Sequence, residues 1–593
     1  MNNQRERRYK FVDEVRIFKQ KATQEGQEIS EGYFDPNGIS PGTTFMLKLN
    51  EELQMFIERK MGSDKLWQGI EVIFSGVDVP GEGEHKMMQY IREHQEEPNI
   101  RHCMYGLDAD LIILALATHQ PYITILREEV NLSYLREDPR RKLIGETQKY
   151  QIILISLLRE YLKLDFAELA GLDFERLVDD FVLMVAFVGN DFVPRLPTFE
   201  ISEGSINFLI SSYKKLWGTV GYLTQDGVVQ WAHLAVFLKD LPQYERSALE
   251  DRIKSKKRRR ENEPIPADKE SLSLKKIYLQ GVNSAYRQGR KTTGEETEED
   301  SEEEIAASEE GQDSEAAERL RKRLKGDLKQ GGMELIKAKY YQECFGFPSG
   351  KGEREARIRE VTREYLRGLQ WVLFYYYRGC PDWEWYYPYH YGPMISDFLD
   401  VNSLMGIPEG SETPFAHTVP YKPIEQLVSV LPPDSSHLLP EEIRPILTSG
   451  LHSAYFPAKP RIEYDFLCAK VGWQSLKIVL PFVHLTLVRE LLATIPETDE
   501  IRTKNLQNTD VSFTFRQSRI QRTLLPPSTA CTFTGRLIPG TFPTHPDFPT
   551  LHSIPLSWTL KEIGINVFLS RSTLETLALE VKGDGRPLQA WTG

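Results

Sequence analysis

Along the first third of the chain, apolar positions switch between a period of two and a period near 3.6. Residues 71–75 (EVIFS) form a short strand-like run. Over 84–94 the apolar residues Met87, Met88 and Ile91 share one face, which predicts a helix. A second strand is predicted over 101–105 (RHCMY), a buried helix over DLIILALATH, and a third strand over YITILREEV. Strand, helix, strand, helix, strand at this spacing predicts a parallel sheet with helices on its faces, an α/β core. Long helices are predicted over 147–163 and 176–188, the second ending at Gly189-Asn190. GYLTQDGVVQW reads as a hairpin turning at Gln225-Asp226-Gly227.

From residue 250 the pattern changes. Residues 250–335 are dense in charge and poor in aromatics, the signature of a flexible insert. Within it, 295–318 (EETEEDSEEEIAASEEGQDSEAAE) is strongly acidic. KSKKRRR at 254–260 reads equally as a nuclear-import signal, a basic patch or a plain surface loop. Order is expected to resume near Tyr340. A helix is predicted over 355–377, ending in WVLFYYYRG and leading into DWEWYYPYHYGPM. After residue 500, Pro, Thr and Gly rise and β-like runs such as INVFLSR appear. The chain therefore divides into an α/β segment (1–249), a charged insert (250–335), a mostly helical segment (336–500) and a partial β-rich module (501–593). No internal repeat is visible.

The 593 residues are too many for one hydrophobic core, so about two to four domains are expected. Apolar content of 40% and charged content of 27% fit a globular protein. The five cysteines are scattered without a CxxC pair, which predicts neither a disulfide framework nor a zinc site. MNNQRERRYKF has no signal-peptide character, and no run of about 18 apolar residues predicts a membrane span. The net charge of −13 disfavours a general nucleic-acid coat but leaves room for a local basic groove.

The candidate chemistry lies in acidic pairs. Glu82 and Glu84 (GEGE) and Asp108 and Asp110 (LDAD) each follow a predicted strand, where open α/β sheets bind ligands. Asp191, in VGNDF, follows an apolar helix. Left alone, such carboxylates repel one another. Mg²⁺, a hard cation with oxygen ligands, removes the repulsion and leaves positions open for phosphates. Two such ions about 3.5–4 Å apart activate a water and stabilise the leaving oxygen. An isolated DxD or ExE is more often a cap or solvated loop; two pairs at successive strand ends bring the metal reading level with that one. Asp179 and Asp180 read as a structural pair or as a pair that supports the ligands from behind rather than as ligands, and His85 and His102 as hydrogen-bonding neighbours. There is no Walker loop, GxSxG or HExxH.

VPGEGEHKMMQYIR, RHCMYGLDADLIILALATHQP with ILREEV, DDFVLMVAFVGNDFVPRLP, GLQWVLFYYYRGCPDWEWYYPYHYGPMISDF and PIEQLVSVLP together resemble the XRN family of 5′→3′ exoribonucleases. GLDAD, with LIPGTFPTHPDFPTLHSIP and INVFLS, looks like the larger, cytoplasmic member rather than the nuclear one. The resemblance implies a PIN/FEN-like nuclease core and hydrolysis of 5′-monophosphorylated single-stranded RNA with two Mg²⁺ ions, or Mn²⁺ in their place. It implies Glu82, Glu84, Asp108, Asp110 and Asp191 as catalytic metal ligands, and Gln4, Arg7 and Arg8 as 5′-phosphate contacts. Arginine forks match phosphate oxygens in two-point contacts. It further implies decapping or mRNA-decay proteins as partners and a cytoplasmic location, with the nucleus the alternative that KSKKRRR suggests. Trp383 and Trp385 read equally as base-stacking groups or as core.

Against the family pattern, a first strand, two further acids, a pocket lysine and a base-stacking histidine fall before Met1. The chain as given is therefore expected to have a weak pocket and little turnover. Two rivals follow from other classes: a non-catalytic RNA-binding scaffold, separated by Mg²⁺-dependent RNA loss, and a flap-type DNA nuclease, separated by comparing RNA with DNA.

Overall fold

One helix organises the core. In Lys351–Arg378 every residue from Gly368 to Tyr377 is buried, because its apolar residues run right round the helix instead of along one stripe. The structure, a computed structural model, describes residues 1–24, 34–94, 100–128, 150–262, 299–407, 412–464, 467, 476–526, 560–562 and 577–579. Around this helix a single hydrophobic cluster runs from Met88 to Leu467 and takes in helices Asp110–Ala117, Phe174–Ala186 and Trp231–Asp240. A smaller cluster joins helix Pro423–Val430 to Leu485–Ala493.

Local signals place most of the early elements. Helix Gly83–Glu93, strand His102–Tyr105, helix Asp110–Ala117 and strand Ile123–Glu128 lie where the periodicity puts them. Asp173 caps helix Phe174–Ala186 by accepting the Glu175 N–H at 3.0 Å. The Gln225 hairpin forms, with Asp226 and Gly227 both in the left-handed region. Its unpaired edge is closed by the buried Gln370 on the central helix, which accepts from Val229 N and donates to the Gly227 carbonyl, both at 2.8 Å.

The expected three-stranded parallel sheet is not what forms. His102–Tyr105 and Ile123–Glu128 pair in parallel, but Val72–Phe74 pairs antiparallel with Val511–Arg516 instead. Val511 and Phe513 then close a small core with Ile57 and Met61 of helix Thr44–Ser63. The predicted helix over 147–163 also divides. Tyr150–Leu154 adds to Ile123–Glu128 as an antiparallel strand, helix Ile155–Asp165 follows, and 147–149 lie outside the described residues. The run Ile152-Ile153 favours extended backbone. The architecture is mixed α/β, mostly helical, with small sheets.

Within the charged stretch, helix Pro242–Asn262 contains KSKKRRR, and helix Glu299–Phe345 begins well before Tyr340. Leu249 and Leu324 are buried in the main core. Residues 263–298 lie outside the described residues, as do 537–555 and 565–570 of the proposed β-rich module.

Candidate active site

Four of the five predicted acids stand at helix starts. Glu82 is the N-cap of Gly83–Glu93 and Glu84 lies in its first turn. Asp110 opens Asp110–Ala117, and its N–H reaches Asp108 Oδ1 at 3.4 Å. Backbone N–H groups and the helix dipole favour carboxylates there. Asp191 follows a turn that only glycine tolerates: Gly189 has φ +89°, and a Cβ on it would sit 2.6 Å from Arg195 N. The approach to Glu82 is fixed by hydrogen bonds. Asn50 Oδ1 accepts from Val77 N at 3.1 Å, Lys86 Nζ donates to the Gly76 carbonyl at 3.0 Å, and Asn508 donates to Asp78.

These acids share one electrostatic field. Burial, then Glu82, Asp108, Asp110 and Asp191, raise Glu84 to about 7. Burial, then Asp108 and Asp191, hold Asp110 at about 6. Glu82 is raised by burial and then by Asp191. Carboxylates from three separate stretches of sequence thus lie near enough to raise one another, and carboxylate oxygens are the donors a hard divalent cation takes. Among the described residues, Glu82, Glu84 and His85 offer ligand atoms all within 4.8 Å of one another. His85 is buried and stacks on Tyr375, with ring centroids 3.6 Å apart. Burial and Arg92 push it down to about 3, so it is neutral. His102, lowered by burial and then by His94, is not part of the Glu82–Glu84–His85 group.

The three predicted phosphate contacts divide. Gln4 and Arg8 line a cavity of about 830 Å³, together with Glu82, Asp191, Trp383 and Trp385. Arg8 donates to the Gln4 carbonyl at 3.1 Å and to Ser40 Oγ at 2.6 Å, while its Nε is buried without a partner. Burial, then Arg7, lower Arg8 to about 10, so the site favours an incoming anion. Arg7 instead pairs with Asp191 at 2.9 Å and is largely exposed. Arg5 turns inward to the Tyr455 and Pro481 carbonyls. Trp385 stacks on Trp371 at 5.6 Å and meets Phe415 edge-on, so packing engages it more than it engages Trp383.

Asp179 and Asp180 are bound elsewhere. Asp180 accepts from Tyr213 Oη, Leu223 N, Thr224 N and Thr224 Oγ1 at 2.6–2.8 Å. Asp179 joins a network that sequence patterning gave no sign of: His119 donates to Glu175 at 2.6 Å and to Asp179 at 2.8 Å, and Tyr377 also donates to Asp179. Arg159 bonds the other oxygen of Glu175. Burial alone would lower His119, but Asp179 and Glu175 outweigh it and raise it to about 9. A folded value above the ordinary 6.5 means the contribution is complete below pH 6.5 and fades as pH rises through 9, by about 3 kcal/mol in all. Asp180 and Glu245, raised by burial to about 7, titrate below that upper range. The melting temperature should therefore fall between pH 7.5 and 9, and His119→Gln should flatten this slope, as read by calorimetry. An unchanged slope would exclude a charged His119.

Residues 171–532 match the family described as Xrn1 helical domain, and residues 1–129 match XRN 5′-3′ exonuclease N-terminus. The 5′-3′ exoribonuclease 1 of Schizosaccharomyces pombe is 30% identical over 98% of this chain and 50% of its own length. The 5′-3′ exoribonuclease 1 of Saccharomyces cerevisiae is 32% identical over 81% of this chain and 36% of its own length. The 5′-3′ exoribonuclease 2 of Gallus gallus is 32% identical over 94% and 66%. The chain thus spans half or less of the length of the first two.

Proposed function

The chain belongs to the XRN family, and from that premise we propose that it is a 5′→3′ exoribonuclease acting on RNA with a 5′-monophosphate. The observation that supports this most is a shared cavity: Gln4 and Arg8 line the same space as Glu82 and Asp191. A terminal phosphate held by Arg8 sets the distance to the bond that is cut, so cleavage proceeds from the 5′ end one nucleotide at a time. Glu82, Glu84, Asp108, Asp110 and Asp191 would hold the divalent cations, Mg²⁺ or Mn²⁺. When bound, paired cations lower the pKa of water and stabilise the leaving oxygen. Arg7, bonded to Asp191, orients that carboxylate. Trp383, on the cavity wall, offers a ring on which a base stacks.

In this reading the core is PIN/FEN-like, with 1–249 and 336–500 as its two parts, 250–335 an insert and 501–593 the start of a β-rich module. The continuous cluster from Met88 to Leu467 supports joining the two parts. No described helix is long and apolar enough to cross a membrane. Decapping chemistry supplies 5′-monophosphate ends, so decapping proteins in the cytoplasm are the fitting partners. The test uses one sequence as RNA and as DNA, each 5′-phosphorylated and labelled at either end. Mg²⁺-dependent release of mononucleotides from the RNA 5′ end is expected. Internal fragments, or a preference for DNA, would favour the flap-type alternative; RNA binding without loss would favour a scaffold.

A further inference from the structure

We propose that the arginine face of the hairpin Val511–Leu524 binds the sugar-phosphate backbone of the RNA body outside the cavity. The inference rests on the exoribonuclease reading and extends it to the rest of the substrate. Strand Arg519–Leu524 is the edge of its three-stranded sheet. Arg516, Arg519 and Arg522 are all exposed in a chain whose net charge is −13. Arg516 and Arg519 stand directly opposite one another across the turn. Like charges so placed repel, and among the described residues no carboxylate pairs with either. A row of phosphates supplies the missing charge. Arg522, registered with Phe513 and lying over its ring 5.8 Å from the centroid, is on the opposite face of the hairpin, so the proposed contact rests on Arg516 and Arg519.

The root of the hairpin is at the cavity. Val511 pairs with Phe74, Asn508 N donates to the Asp78 carbonyl at 2.8 Å, and Phe74, Asp78 and Gln507 all line the cavity wall. From Val511 to Arg516 the strand runs about 17 Å at about 3.4 Å per residue. Arg516 and Arg519 thus form a short basic track at the hairpin tip, away from the space that holds the 5′ end. Single-strand-binding surfaces combine such a basic track with stacking aromatics.

Charges on an edge strand also prevent pairing with a second copy, but either sign does that. RNA requires positive charge, so charge reversal separates the roles. Binding is measured without divalent cations, comparing a 5′-phosphorylated trinucleotide with a 5′-phosphorylated RNA of about 20 nucleotides. R516E/R519E should weaken the long RNA about tenfold at moderate salt and leave the trinucleotide unchanged. R516Q/R519Q should reduce the slope of log affinity against log salt by about 1.4, or about 0.7 for each phosphate that is no longer neutralised. Wild-type binding of the long RNA that both variants match would overturn the hairpin alone. Failure of the wild type to bind either RNA would overturn the exoribonuclease reading with it. Unchanged RNA affinity with lost binding to phosphatidylserine vesicles would assign the face to lipid and overturn the proposal.

Discussion

Asp108→Asn with Asp110→Asn should abolish Mg²⁺-dependent RNA hydrolysis while leaving the fold intact, a loss on the order of a thousandfold or more. The reason is the field that the five acids share. Glu84 and Asp110 are held up at about 7 and about 6 by burial and by their acidic neighbours. Neutral amides remove two of the charges that bind a cation, and with it the stabilisation of the leaving oxygen. A second measurement needs no activity. Mg²⁺ at a hundredfold excess over its Kd should stabilise the parent by about 2.7 kcal/mol. It should do little for the variant. Without Mg²⁺ the order should reverse, with the variant melting at or above the parent, because two like charges have left a crowded site. Asp179→Asn serves as a contrast: it disrupts the His119 network and should lower the melting temperature whether or not Mg²⁺ is present. Full hydrolysis by the Asp108/Asp110 variant, or Mg²⁺ stabilisation equal to the parent's, would remove these residues from the site.

What was legible in the sequence was local. Helices Gly83–Glu93, Asp110–Ala117 and Phe174–Ala186 announce themselves by their period, and the Asp226-Gly227 hairpin by its turn residues. The acid pairs were readable as candidates, because each follows a strand and opens a helix, but Val72–Phe74 and His102–Tyr105 belong to different sheets, so strand order alone does not say how close the pairs come. Partners distant in sequence were not readable. Val72–Phe74 chose Val511–Arg516, more than four hundred residues on, and three residues of apolar strand carry no signal that selects a partner. Ile152 and Ile153 suit a helix face as well as a strand, and only the open edge of Ile123–Glu128 decided between them. Buried polar networks are invisible for a related reason. His119 and Gln370 are unremarkable in composition, and their role comes from what the fold places opposite them. Arg7 and Arg8 are adjacent and chemically alike, yet the helix turns one towards Asp191 and the other into the cavity wall.

That divergence sets the second large effect: Arg8→Ala should erase discrimination between RNA ends, whereas Arg7→Ala should not. Arg8 is partly buried, its Nε lacks a partner, and burial with Arg7 nearby lowers it to about 10. A terminal monophosphate satisfies that N–H and stabilises the guanidinium through charge-assisted hydrogen bonds. Removing this interaction should cost about 1.5–3 kcal/mol, or about ten- to a hundredfold in apparent affinity for 5′-phosphorylated RNA. RNA with a 5′-hydroxyl never makes the interaction, so its decay should change little. Capped RNA should be slow throughout, because the cap is too bulky for a small basic pocket. Arg8 also bonds Ser40 Oγ and the Gln4 carbonyl, so its removal could loosen the helix itself. Arg8→Lys controls for this: it keeps the charge without the fork, and should recover part of the preference. Arg7→Ala frees Asp191 from its partner and should shift the Mg²⁺ concentration for half-maximal rate while the phosphate-to-hydroxyl ratio stays near that of the parent. The ratio of decay rates on the three ends is the decisive quantity, since a merely destabilised protein slows on all of them together. If phosphate, hydroxyl and capped RNA decay at ratios that Arg8→Ala leaves untouched, Arg8 does not read the 5′ end.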